Sequence, residues 1–188
     1  MTDKHALSAT RLNGEKSSGN HLSANNMIME TLLDTIPNPV FYKDREGRYQ
    51  GCNLAFAEQI LGLPKEAIIG CSLFDLPQAS PGHLAEVYAQ QDAAMLKNGG
   101  TQFYESEVQC ADGIRRHFFF NKATFMDTRG QPAGIVGVML DITERKHAEE
   151  ALRKSEERFR HFFEDVVLGI FQSTEDGVIM NVNPALSL

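Results

Sequence analysis

Apolar positions fall at helical spacing from about Ser23 onward: Met27, Ile28, Thr31, Leu32 and Thr35 share a face, which Leu33 and Ile36 broaden. The pattern predicts a helix over 23–36. Pro37 and Pro39 stop it, because each lacks a backbone donor and restricts the residue before it. Two short strands are expected next, Val40–Lys43 and Arg48–Cys52, joined through Asp44-Arg45-Glu46-Gly47. Asn53 is placed to cap a helical "LAFAEQIL" ending at Gly62, and Pro64 and Gly70 bracket a further short turn of helix. The stretch "SPGHLAEVYAQQDAAMLKNGG" predicts the longest internal helix, with Leu84, Val87, Tyr88, Gln91, Ala94 and Met95 as its apolar stripe. Three strands follow across the tight turns Ala111-Asp112-Gly113 and "DTRGQPAG". In the first of them Phe103, Glu105 and Glu107 alternate with Tyr104, Ser106 and Val108, so one face is expected to be wet. Strands and helices in this order predict an α+β fold with an antiparallel meander.

The last apolar run, Gly137-Val138-Met139-Leu140, passes into charged helical text with no loop between. Asp141 and Glu144 have the D-x-x-E spacing of a capping box, and Thr143 adds a hydroxyl there. Glu149–Arg153, Glu150–Lys154 and Glu156–Arg160 are spaced to pair along an exposed helix. Its seam of Ala148, Leu152, Ser155, Phe159 and Phe162 is too short to establish a coiled coil. Signalling linker and passive spacer are both open readings of this helix. The former is favoured because movement of the strand must move the helix that continues it.

The chain also repeats itself. Residues 31–56 align without a gap on 161–186: Phe41 with Phe171, Gly47 with Gly177, Asn53 with Asn183, Ala55 with Ala185. The expected organisation is a disordered polar tail (1–22), one module (23–142), a connecting helix (143–165) and the opening of a second module (166–188), cut before its core closes.

The formal net charge of −7 argues against a nucleic-acid or anionic-membrane surface. No apolar run is long enough for a membrane span, and no secretory h-region is present at the N-terminus. Cys52, Cys71 and Cys110 stand far apart and suggest reduced thiols in a cytoplasmic protein. Metalloprotease, nucleophile-elbow and phosphate-loop motifs are missing, so no catalysis is expected. His147 is expected to be a solvated helix position rather than a phospho-acceptor.

The turn and strand from Gly47 to Asn53, Ala55-Phe56, "EAIIG", Asp112-Gly113 and "GIVGVMLDITERK" together resemble a PAS sensory domain of bacterial signal transduction, with Asp141-Ile142-Thr143 the most specific part. The resemblance implies a five-stranded antiparallel sheet of order 2-1-5-4-3 with helices cupped over one face. It also implies that a small ligand or partner acts there, and that homodimers form through the flanking helices 23–36 and 143–165. The implied parent is a sensor histidine kinase or diguanylate cyclase. Candidates for the pocket are Phe41, Phe56, Phe74, Met95, Phe103, Phe118, Phe120 and Phe125, with Lys122 reaching from the sheet; Asp141, Ile142 and Thr143 form the signal junction. Aromatics that simply fill a core remain the alternative, in which the module is a ligand-free interaction scaffold. Lys122 and Arg115 or Arg116 are candidates for meeting an anionic ligand from the sheet, a solvated face being the alternative, and Lys43-Asp44 reads as pocket rim or turn chemistry. The cofactor stays unassigned. His83 and His117 do not support haem, no CxxCH exists, and Cys52 lacks the polar helix of a flavin-thiol site.

Overall fold

The computed structural model describes residues 24–76 and 83–186. The tail expected over 1–22, the helix start expected at Ser80-Pro81-Gly82, and Ser187-Leu188 lie outside them. In chain order the elements are α1 (24–35), β1 (Val40–Asp44), β2 (Tyr49–Cys52), α2 (Ala55–Leu61), α3 (Lys65–Ile68) and α4 (His83–Asn98). They continue with β3 (Thr101–Gln109), β4 (Arg115–Met126), β5 (Pro132–Asp141), α5 (Thr143–Asp165), β6 (Phe171–Ser173) and β7 (Ile179–Val182).

Strands β1 to β5 form one antiparallel sheet of order β2-β1-β5-β4-β3, as the resemblance implied. Its turns are built by aspartates whose side chains take the backbone donors the turn leaves over. Asp44 Oδ1 accepts from the amides of Glu46 and Arg48, and Asp127 Oδ1 from those of Arg129 and Gln131. Asp44 is therefore turn chemistry. The inner face carries Phe41, Phe118, Phe120 and Met139, which pack with Phe56, Ile60 and Leu61 of α2 and Ile68 of α3 into one core. Two glycines make room for rings. A Cβ at Gly137 would run into the ring of Phe41 on the inner face, and one at Gly134 would run into the carbonyl oxygen of Lys43 and the ring of Phe125.

Asn53 has no exposed surface and ties three segments together. Its Oδ1 accepts from the amides of Val40 (2.8 Å) and Phe56 (3.0 Å), the second being the capping bond expected of it. Its Nδ2 donates toward the carbonyls of Leu33, Ile36 and Asn38 at 3.2, 3.0 and 2.8 Å. One side chain thus closes the end of α1, the start of β1 and the start of α2.

The described residues divide into two compact units, one ending at Ile142 and the other beginning at Thr143. In the second, β6 and β7 reproduce the first hairpin residue for residue. Phe171 opposes Val182 as Phe41 opposes Cys52, and Ser173 opposes Ile179 as Lys43 opposes Tyr49, with the bulge at the same step. Asn183 repeats Asn53: its Oδ1 accepts from Ile170 and Leu186, and its Nδ2 donates to Val166 and Leu168. The ungapped alignment of the two segments is therefore structural.

α5 is exposed along its length apart from a few positions, of which Phe163 is buried. Lys154 pairs with Glu150 at 3.3 Å as its spacing predicts. Arg153 bonds Glu150 and Glu157, while Glu149 is taken by Arg145. Asp141 still stands in the ladder, opposite Phe118, and α5 begins two residues later at Thr143. Between them Ile142 is buried, and its amide donates to the carbonyl of His117 at 2.9 Å.

Candidate functional site

A cavity of about 40 Å³ lies between the inner face of the sheet and the helices over it. Three local features shape it. α2 winds with π spacing, its last amide, on Gly62, reaching back to the carbonyl of Ala57, and it turns Phe56 and Ile60 inward. A bulge in the first hairpin sets Tyr49, rather than Gln50, opposite Lys43, so both enter the cavity wall. α4 brings Tyr88 over the sheet, held by a 2.7 Å hydrogen bond between its hydroxyl and Ser106 Oγ. Tyr104 and Phe120 stack on neighbouring strands, with ring centroids 4.8 Å apart. Leu73, Val108 and Met139 complete the apolar lining.

The charged part of the wall is Lys43 and Lys122, which share a carboxylate behind it. Lys43 Nζ and Lys122 Nζ each donate to one oxygen of Asp92, Oδ2 and Oδ1 respectively, both at 2.7 Å. All three side chains are at most 5% exposed. Lys43 Nζ lies 4.9 Å from the ring centroid of Tyr49, and Lys122 Nζ lies 5.3 Å from that of Tyr104, so each cation also faces a π cloud. Burial lowers the pKa of Lys43, and Asp92 only partly offsets this. Burial pushes the Asp92 carboxyl upward, but Lys43 and Lys122 together hold it below the ordinary carboxylate range. Burial likewise raises the Tyr49 and Tyr104 phenols well above their usual value, and the thiol of Cys52 is pushed up to about 11 by burial.

Of the residues expected in the pocket, Phe41, Phe56, Phe120 and Lys122 meet at this cavity. Phe118 is buried in the surrounding core, and Met95 is buried on α4; both lie outside the cavity lining. Two of the aromatic expectations are corrected. Phe103 belongs to the outer face of β3 and stacks on Phe119, because the strand buries its Tyr104, Ser106 and Val108 side. Phe125 is 39% exposed on the outer face, over Gly134. Phe74 is 61% exposed and lies outside this cavity, on the wall of a separate one of about 140 Å³ that Lys43 and Asp92 also line. Arg115 is largely exposed and Arg116 forks onto Asp112, so neither reaches the interior. Lys43 is cavity wall, and Lys122 is buried rather than part of a solvated face.

Asp92 was missed altogether. Ala85, Tyr88, Asp92 and Met95 form the inward stripe of α4, while Val87 and Ala94 face outward. The available signal was an acid three and four residues from two stripe positions.

A family model for the PAS fold matches residues 33–147. That is more than half of the chain, and the chain belongs to the PAS family. Among curated relatives, the aerobic respiration control sensor protein ArcB of Escherichia coli K12 is 28% identical over 128 residues, 68% of this chain and 16% of ArcB. The virulence sensor protein BvgS of Bordetella pertussis Tohama I is 30% identical over 131 residues, 68% of this chain and 10% of BvgS. The solved PAS domain of B. pertussis BvgS superposes with a TM-score of 0.57 at 26% identity, over 72% of this chain and 98% of that domain. The chain thus matches less than a fifth of either relative's length, and what it shares with these sensors is their PAS domain.

Proposed function

We propose that the chain is a sensory module in which the state of the interior cavity is relayed along β5 into α5. The carrying observation is continuity: Met139 lines the cavity, and the strand that holds it ends two residues before α5. A shift at Met139 is passed through Asp141, Ile142 and Thr143 because no loop intervenes to absorb it. A small ligand is the input on this reading. β6 and β7 are the opening of a second PAS module, and the parent chain is a sensor of the kind that ArcB and BvgS represent. α1 exposes Met27, Ile28 and Leu32, and α5 exposes Leu152, Phe159 and Phe162, which supports dimerisation through these helices.

The test is amide hydrogen exchange in the first two turns of α5. Met139→Ala alters the β5 wall of the cavity, whereas Leu73→Ala alters a wall outside that strand. Met139→Ala should change exchange in α5 while Leu73→Ala leaves it near wild type. Identical α5 exchange in all three proteins would remove the relay. A second reading, a ligand-free scaffold, is favoured by the size of the cavity, which is far below the 300 Å³ or so of ordinary ligand pockets. It expects that unchanged result.

A further inference from the structure

We propose that the cavity takes a small monocarboxylate, of the size of formate or acetate, between the ammonium groups of Lys43 and Lys122. The inference rests on the cavity being the sensing site and adds the chemical class of its ligand.

Three observations carry it. The first is charge. Two lysines share the single carboxylate of Asp92, so the fully ionised cluster has one positive charge in excess inside the protein. A buried charge without a counter-ion is strongly unfavourable, and an anion removes that cost. The second is direction. Both lysines line the cavity, yet Asp92 does not; it meets them from the α4 side. The other lining residues are aromatic or aliphatic, so the wall presents cations and no acid. An ammonium has three donors, and among the described residues Asp92 is the one oxygen source that either Nζ bonds. Two donors on each remain for a ligand, and a planar two-oxygen group can bridge them as the carboxylate of Asp92 does from behind.

The third is size. About 40 Å³ corresponds to roughly three water-sized atoms, at about 10–15 Å³ each. Formate has three non-hydrogen atoms and acetate four. A dianion would overcompensate a single excess charge, so monoanions are selected by charge and short acids by volume.

The experiment follows the lysine 13Cε and 15Nζ signals of the full chain during titration with sodium acetate. pH and ionic strength are held fixed, and acetamide is the neutral isostere. Acetate should give saturable shifts at Lys43 and Lys122 and raise the melting temperature; acetamide should do neither. Lys122→Met, which leaves one lysine balanced by Asp92, should abolish the response. Equal saturable shifts with acetamide would overturn the anion class while leaving a ligand-binding cavity intact. No saturable shift with acetate or formate overturns the inference. The α5 exchange experiment uses no ligand, so it then decides separately whether the cavity signals. The wild-type titration needs no variant to fold.

Discussion

At the scale of single residues, two small features hold the geometry of the first unit. Asn53 serves two amides and three carbonyls from a site with no exposed surface, so its loss strands several backbone groups at once. Leaving buried polar groups unpaired costs about 1–3 kcal/mol each, with partial relaxation. Asn53→Ala should therefore destabilise by about 3 kcal/mol and lower the melting temperature by roughly 10 °C, read by circular dichroism. Gly137 matters for the opposite reason, because the ring of Phe41 fills the place of its missing side chain. Gly137→Ala forces that ring toward the cavity, an overpacking that costs about 1–3 kcal/mol. A urea midpoint below wild type checks it. Gly137→Ala combined with Phe41→Leu should recover part of the loss.

At the scale of elements, α4 is fastened to the sheet by a polar device as well as by packing. Asp92 bonds lysines on β1 and β4, and Tyr88 bonds Ser106 on β3. Removing the acid alone leaves two buried ammoniums facing each other. Asp92→Leu should cost about 3–5 kcal/mol, whereas the triple replacement Lys43→Met, Asp92→Leu, Lys122→Met should cost less than that single change. Chemical denaturation of both variants measures the difference. The same cluster explains what the sequence could and could not show. Element order, the turns and the repeated hairpin were legible, because alternation, Asp-Gly turns and the Asn53 repeat are local signals. The sheet order came with the family resemblance. The phase of α4 was not legible, since a lone aspartate reads as solvent-facing until its lysine partners, 49 and 30 residues away, are known. Phe103 and Phe125 were misplaced because size suggested burial. For the two strand residues the pleat decides which face a ring takes.

At the scale of the whole molecule, the buried charges shape how stability depends on pH. Lys43 has a lowered pKa in the folded state, so between that value and the ordinary 10.5 the unfolded chain binds a proton that the folded chain has shed. Its contribution makes stability rise with pH through that window. Above about pH 9 the raised Cys52, Tyr49 and Tyr104 act in the opposite sense, since the unfolded chain ionises them first. These terms are shared with Lys43→Met, so wild type should gain on that variant as pH rises through the window, seen in paired urea titrations. Asp92 acts at the acid end: its stabilisation is complete above about pH 4 and is lost as pH falls through its lowered pKa. The duplicated hairpin has a kinetic consequence. β6–β7 carries the same register, bulge and phenylalanine as β1–β2, and β5 offers Gly137 as the slot for such a ring. A refolding chain therefore holds two competitors for one strand edge, its own first hairpin and a neighbour's second. Rapid refolding at high protein concentration should trap strand-exchanged dimers, resolved by size-exclusion chromatography. A chain ending at Asp165, which lacks the competing hairpin, should refold without them.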